Sequence, residues 1–244
     1  MTASTSVAET ERRWSPTGTK RRTVVAALAG ILFVILSLAR VPLTGEIGLP
    51  YWGASTPDVT DFYKSLTFDT AFIVGIGMVT IGWLLYLVFI AKFATIVGSV
   101  DSGSSWVGNL IVSLAVVSVA STATYLIAVS TGANLANAGG IGSDSFLILH
   151  GAANGAVWFS FVTGGLRSAV MGVAILISRA FPRWLGLALL AAASLQVFTF
   201  FGPVDMWTAV SGLVYPLTLL LAIAMLMRSN RYSTSNHSTM SHQS

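Results

Sequence analysis

At 244 residues the chain has room for one compact bundle of about five to seven membrane helices with short loops, and none for a sizeable soluble domain. Hydrophobic residues make up 54% and charged residues only 9%, with a mean hydropathy of +0.78; a soluble domain carries about 25% charged residues, so a water-soluble globule is excluded. Cysteine is absent, which removes a disulfide framework, a thiol nucleophile and zinc–thiolate sites.

Residues 1–22 are polar, rich in Ser and Thr, and carry Arg12-Arg13 and then Lys20-Arg21-Arg22. This composition predicts a disordered basic tail. The first predicted span, 23–41, is short enough to resemble a signal peptide. Its basic leader is long and its apolar run outlasts a usual signal core, which favours an uncleaved helix. An acidic loop follows over 42–69, with Tyr51, Trp52, Phe62 and Tyr63 suited to the headgroup level. Within it, Thr56-Pro57-Asp58 supplies a capping hydroxyl, a first-position proline and an early acid. That signature predicts a surface helix running straight into the second span, 70–92.

The third span, 107–130, is dense in small residues, among them Ser113, Ala115, Ser118, Ser121 and Thr122. Small residues let membrane helices approach closely, which predicts a place for this helix at the centre of the bundle. After a glycine-rich loop, residues 146–180 form a fourth apolar run, longer than one crossing needs. The fifth and sixth spans, 184–201 and 207–227, are joined by Gly202-Pro203-Val204-Asp205, and Pro216 is set to kink the last helix. Residues 228–244 are polar with nothing to bury, and predict a second disordered tail.

These readings give an all-α, polytopic bundle of six spans. Lys20, Arg21, Arg22, Lys92, Arg179, Arg183, Arg228 and Arg231 fall at one end of it, against Arg40 and Lys64 at the other, where six of the nine acids lie. Basic residues collect on the cytoplasmic side, so both termini are expected there, in a plasma membrane. The net charge of +4 is accounted for by this placement, and the expected partners are the lipid bilayer and another membrane protein or a second copy, not nucleic acid.

Arg167 is the residue in the fourth run that needs explaining. At about 100° per residue its helix face holds Ala153, Ala156, Ser160, Gly164, Met171, Ala174 and Ser178, a small and weakly polar stripe. A charge deep in the bilayer costs several kcal/mol by insertion scales and is usually paired or functional. Three geometries account for it: an anion or headgroup contact reached from a polar cavity, an internal tie to carbonyls and hydroxyls such as that of Ser160, or a shallow position beyond a helix break at Gly164-Gly165. His150 and Asn154 share a face one turn apart, with Trp158. They read as a proton relay or ligand at the far mouth, or as an interfacial histidine tied to a loop. One histidine is too few for a metal, and no HExxH, GxSxG, phosphate-loop motif or mid-span lysine occurs, so no cofactor is expected. Gly151 and Gly155 form a GxxxG that suits close packing within the bundle.

Gly165-Leu166-Arg167, followed by Ser178-Arg179-Ala180-Phe181-Pro182-Arg183-Trp184-Leu185-Gly186, resembles the junction of the fourth and fifth spans in uncharacterised six-span bacterial membrane proteins, over about residues 165–186. The resemblance implies a six-helix bundle in a bacterial plasma membrane and carries no assigned activity. Two functional classes follow. One is a small binding, transport or accessory subunit with a polar interior around Arg167, with Ser160, His150 and Asn154 as further candidates. The other is a membrane-embedded enzyme acting on a lipid or isoprenoid headgroup, with Arg167 as the anion contact and His150 as acid/base.

Overall fold

The structure, a computed structural model, describes residues 16–44, 50, 53–66, 69–99, 105–139, 142–199 and 205–240. The first part of the expected N-terminal tail, Tyr51 and Trp52 of the aromatic belt, and most of the turn before the last span lie outside these residues. Among the described residues there are eight helices: α1 (Pro16–Ala39), α2 (Val41–Thr44), α3 (Thr56–Ser65), α4 (Thr70–Gly98), α5 (Ser105–Asn137), α6 (Ser143–Ser178), α7 (Arg183–Thr199) and α8 (Asp205–Met240). Five stretches are long and apolar enough to cross a membrane, in α1 with its extension through α2, and in α4, α5, α6 and α8. The protein is all-helical and built for a bilayer.

The helices form a closed ring. Chain neighbours α4, α5, α6, α7 and α8 pack in succession, and α1 bridges α4 and α8 to complete the circle. The third span was expected at the centre, but among the described residues α5 packs chiefly on α4, α6 and the short α3. The most enclosed helix is α6, whose most apolar stretch is 50% buried against 28% for α5. Small residues on α5 seat Ala94 of α4 against Gly108 and Tyr63 of α3 against Gly132, and their hydroxyls form a seam with α6. There, Ser118 and Thr163 hydroxyls lie 2.9 Å apart, and those of Thr122 and Ser160 3.2 Å.

Most helices outrun their predicted spans, each for a visible reason. α1 starts at Pro16 and takes in Lys20-Arg21-Arg22, with the Thr23 hydroxyl back-bonded to Thr19 O at 3.0 Å, so the predicted tail boundary at 22 falls inside a helix. α5 continues to Asn137, where the loop was predicted from 131, because α3 packs along its last turns. The cap of α3 is Ser55 rather than Thr56. Its Oγ accepts from the Asp58 N–H, while the Asp58 carboxylate accepts from the Ser55 N–H at 3.3 Å, a reciprocal box. Nor does α3 run into the second span. Leu66 turns extended, and the Asp69 carboxylate starts α4 by accepting from Phe72 N–H at 2.9 Å.

Tyr63 anchors α3. Its ring stacks on Phe146 at 5.5 Å and lies so close to α5 that a Cβ on Gly132 would sit 2.3 Å from it. The Asn137 amide closes the corner by donating to Leu66 O at 3.1 Å. The Tyr63 hydroxyl is buried with no hydrogen-bond partner among the described residues, and burial, with a smaller push from Tyr125, raises its pKa to about 12.

At the opposite end, the turn after α6 is closed by Arg179 in the left-handed conformation, φ 52°, with its N–H on Ile175 O at 2.9 Å. Pro182 then blocks continuation of the helix. Phe181 stacks on Phe93 of α4 at 5.5 Å. The Arg228 guanidinium lies over Phe181 and donates to the Ala180 carbonyl, and Ser229 is buried beside it. These contacts carry α8 past its predicted end at 227. From this turn α7 returns along α6 at very close range. A Cβ on Gly172 would lie 2.7 Å from Gly186 O, and one on Gly186 would lie 2.9 Å from Gly172 O. Of the GxxxG pair expected to serve packing, Gly151 does not: it is exposed, with nothing near its Cβ position.

Candidate functional site

α6 runs unbroken through Gly164-Gly165, so the break that would have left Arg167 shallow is absent. Helical periodicity then fixes where Arg167 points. Gly164, Arg167, Ser168, Met171 and Ile175 are buried, while Val162, Leu166, Val173 and Ile177 are exposed on the far face. The two glycines serve proximity instead of a kink. A Cβ on Gly165 would meet Gln196 of α7 at 3.4 Å, and one on Gly164 would sit 3.8 Å from both Arg167 Nη2 and Gln196 Oε1.

Arg167 is 3% exposed, and its guanidinium lies over the Tyr86 ring of α4, 5.0 Å from the centroid. Arginine carries five N–H donors and stays charged in proteins. Nε and Nη1 of Arg167, which hold three of those donors, have no hydrogen-bond partner among the described residues. Beside them is a small cavity, about 20 Å³ counted by where a water centre can lie, walled by Tyr86, Arg167, Ser168, Met171, Leu189, Ala192, Val214, Leu217, Thr218 and Leu221. It therefore sits inside the ring, among α4, α6, α7 and α8. All three of its hydroxyls are engaged: Ser168 donates to Gly164 O at 2.9 Å, Thr218 donates to Val214 O at 2.8 Å, and the Tyr86 hydroxyl is hydrogen-bonded with Arg167.

Among the described residues no acid lies at the depth of this charge. The described acids on α3, α4 and α6 are Asp58, Asp61, Asp69 and Asp144, all toward the α3 end. Asp69 is 17 residues from Tyr86 along α4, about 26 Å of helix. The Tyr86 face supplies what the protein offers in place of a carboxylate. Cation–π contact is worth about 2 kcal/mol when desolvated, against the roughly 2.5–3.5 kcal/mol that insertion scales charge an arginine at a helix centre.

The other sequence candidates lie elsewhere. Ser160 is two turns up α6, joined to Thr122 in the α5–α6 seam. His150 and Asn154 are buried, 4% and 3% exposed, and bond to each other: the Asn154 amide contacts the imidazole at 2.9 Å and the His150 carbonyl at 3.1 Å. The imidazole is thus enclosed in the protein instead of lying at an open interface. Along the unbroken α6, His150 is 17 residues from Arg167, about 26 Å. The structure does not bring these two together. Among the described residues, no cluster of three or more metal-ligating side chains exists.

Sequence reasoning missed Tyr86 and Thr218 as walls of the site. A tyrosine in the middle of an apolar span was the available signal for the first. Gln196 was legible as a polar group in a span, and is 5% exposed against α6. No protein-family model, curated protein or solved structure matches this chain.

Proposed function

We propose that this chain is a six-span protein of a bacterial plasma membrane, both termini cytoplasmic, serving as a small binding, transport or accessory subunit whose site is the cavity at Arg167. One observation carries the reading. A charged side chain, 97% enclosed, lines a cavity inside a helix ring while its Nε and Nη1 have no hydrogen-bond partner among the described residues. A purely structural arginine would spend those donors on carbonyls.

Ring closure supports the sixth crossing. α7 has 17 residues, about 25 Å of helix, and it packs between α6 and α8, two helices long and apolar enough to span. Arg167 is 12 residues from Arg179, about 18 Å along α6, close to the middle of a hydrocarbon core about 30 Å thick. The basic residues Lys20, Lys92, Arg179 and Arg183 belong to the end opposite α3, which favours that end as cytoplasmic. The resemblance over residues 165–186 agrees with this arrangement and adds no activity. The alternative, an enzyme acting on a lipid or isoprenoid headgroup with Arg167 and His150 together, is disfavoured by their separation along one helix and by a cavity of about 20 Å³.

Because the natural chain has no cysteine, the reading is directly testable. Thr218→Cys and Met171→Cys place thiols on the cavity wall, and Leu166→Cys places one on the outer face. Oriented vesicles are treated with silver ion, and surviving thiols are counted by maleimide after unfolding. The cavity thiols should react from an aqueous side. If neither reacts from either side, the binding reading fails. Reporters on each terminus should both report cytoplasm; a split result would remove the six-span topology.

A further inference from the structure

We propose that the cavity takes up a single small monovalent anion, of chloride, bromide or nitrate size, as the counter-ion that none of the described residues supplies. This rests on the binding reading above and names the ligand class.

Charge comes first. Arginine stays charged in proteins, and Arg167 meets the Tyr86 ring and hydroxyl, which lower the energy of a cation without neutralising it. A water in the cavity would occupy donors but leave the net charge in place. An anion does both.

Donor chemistry points the same way. Arg167 lines the cavity with its Nε and Nη1 unpartnered among the described residues, whereas the Ser168 and Thr218 hydroxyl protons are committed to carbonyls and the Tyr86 hydroxyl to Arg167. The site offers donors backed by positive charge, so a cation or a hydrogen-bond donor ligand has nothing to bind. Valence follows from the count of charges. Arg167 is the one charged residue among those that wall the cavity. A dianion such as sulfate would keep one uncompensated charge in a low-dielectric interior.

Size and lining set the rest. A cavity needs about 10–15 Å³ by this measure to hold one water, and this one has about 20 Å³. It has space for one ion of a few heavy atoms at most, and none for a phosphodiester headgroup. Met171, Leu189 and Leu221 cannot replace a hydration shell. Ions that shed water easily, bromide and nitrate, should therefore be preferred over fluoride.

The test uses the full-length protein in neutral-lipid nanodiscs, in sodium gluconate at fixed ionic strength, with gluconate replaced stepwise by fluoride, chloride, bromide, nitrate or sulfate. The unfolding midpoint should climb with the logarithm of bromide, chloride and nitrate concentration, and stay flat for fluoride and sulfate. Arg167→Met should abolish the response. Ala192→Leu fills the cavity while keeping Arg167, and should abolish it too; if either variant does not fold, bromide anomalous scattering from wild-type crystals decides, with the peak expected against Arg167 Nε and Nη1. No response to any anion up to molar concentration, together with no bromide peak, overturns the proposal. So does a response that survives in a folded Ala192→Leu. A midpoint that rises only when phosphatidylglycerol enters the nanodisc transfers the site to a lipid headgroup and likewise overturns it. The silver assay is independent: reactive cavity thiols with no anion response sink this inference alone, whereas sealed thiols sink the binding reading beneath it.

Discussion

Replacing Gly172 by alanine should loosen α7 from α6, whereas the same change at Gly164, two turns away on the same helix, should not. At Gly172 the new methyl would lie 2.7 Å from the Gly186 carbonyl oxygen and 2.9 Å from Leu190 Cγ, where ordinary contact begins at 3.4 Å. The oxygen belongs to backbone, so α7 itself must retreat by about 0.7 Å. Overpacking of this kind costs about 1–3 kcal/mol. Alanine returns about 1 kcal/mol through helix propensity, which leaves a net loss of about 0–2 kcal/mol. At Gly164 the nearest atoms, Arg167 Nη2 and Gln196 Oε1, are both at 3.8 Å, so only the favourable propensity remains. Equilibrium unfolding in mixed detergent micelles should place Gly164→Ala at or above wild type and Gly172→Ala clearly below Gly164→Ala. Gly186→Ala relieves itself through the same retreat of α7, so the double variant should cost less than the sum of its parts. Equal stability of the Gly172 and Gly164 variants, or strict additivity of the Gly172 and Gly186 pair, would refute the close approach.

Tyr63→Phe should be neutral or stabilising by about 1 kcal/mol, because it removes a buried hydroxyl without a bonding partner. With the folded pKa raised to about 12 from an ordinary 10.0, the docking of α3 is fully stable below pH 10 and weakens as pH rises through 12. Amide exchange of α3 against pH should show that loss in wild type and not in the phenylalanine variant. Ser118→Ala and Thr122→Ala each delete one interhelical bond of the α5–α6 seam. Such bonds average about 0.6 kcal/mol in membranes, so a loss above about 2 kcal/mol in the same micelle assay would mean that the seam carries far more than its hydroxyl pairs.

Much of the secondary structure was legible. Every apolar run that the structure describes lies on a helix, the Pro182 turn falls where local chemistry puts it, the Pro57 start is capped one residue earlier than expected, and Arg167 stood out as a charge needing a reason. Boundaries were less so. α5 continues into the predicted loop because Gly132 receives the Tyr63 ring, a contact between residues 69 apart that no local signal announces. The position of α5 was misjudged for a related reason: small residues permit close approach without saying how many neighbours will take it up. Arg167 had three open geometries because each suited the stretch around it. The unbroken course of α6 removed the shallow one, and the missing partners of Nε and Nη1 weigh against a tie to carbonyls.

The sequence by itself determined that this is a helical membrane protein, roughly where its apolar segments lie, and that basic charge gathers at one end of them. Only the tertiary structure decided that the helices close into a ring, that α6 is the most enclosed, and that Arg167 faces Tyr86 across a small cavity. In water, a helix advertises its buried side by contrast with a polar one. In lipid both sides are apolar, so sequence hydropathy cannot say which face meets a neighbour. That choice is made by shape, through fits such as Gly172 on Gly186 and Tyr63 on Gly132, which exist only once distant segments have met.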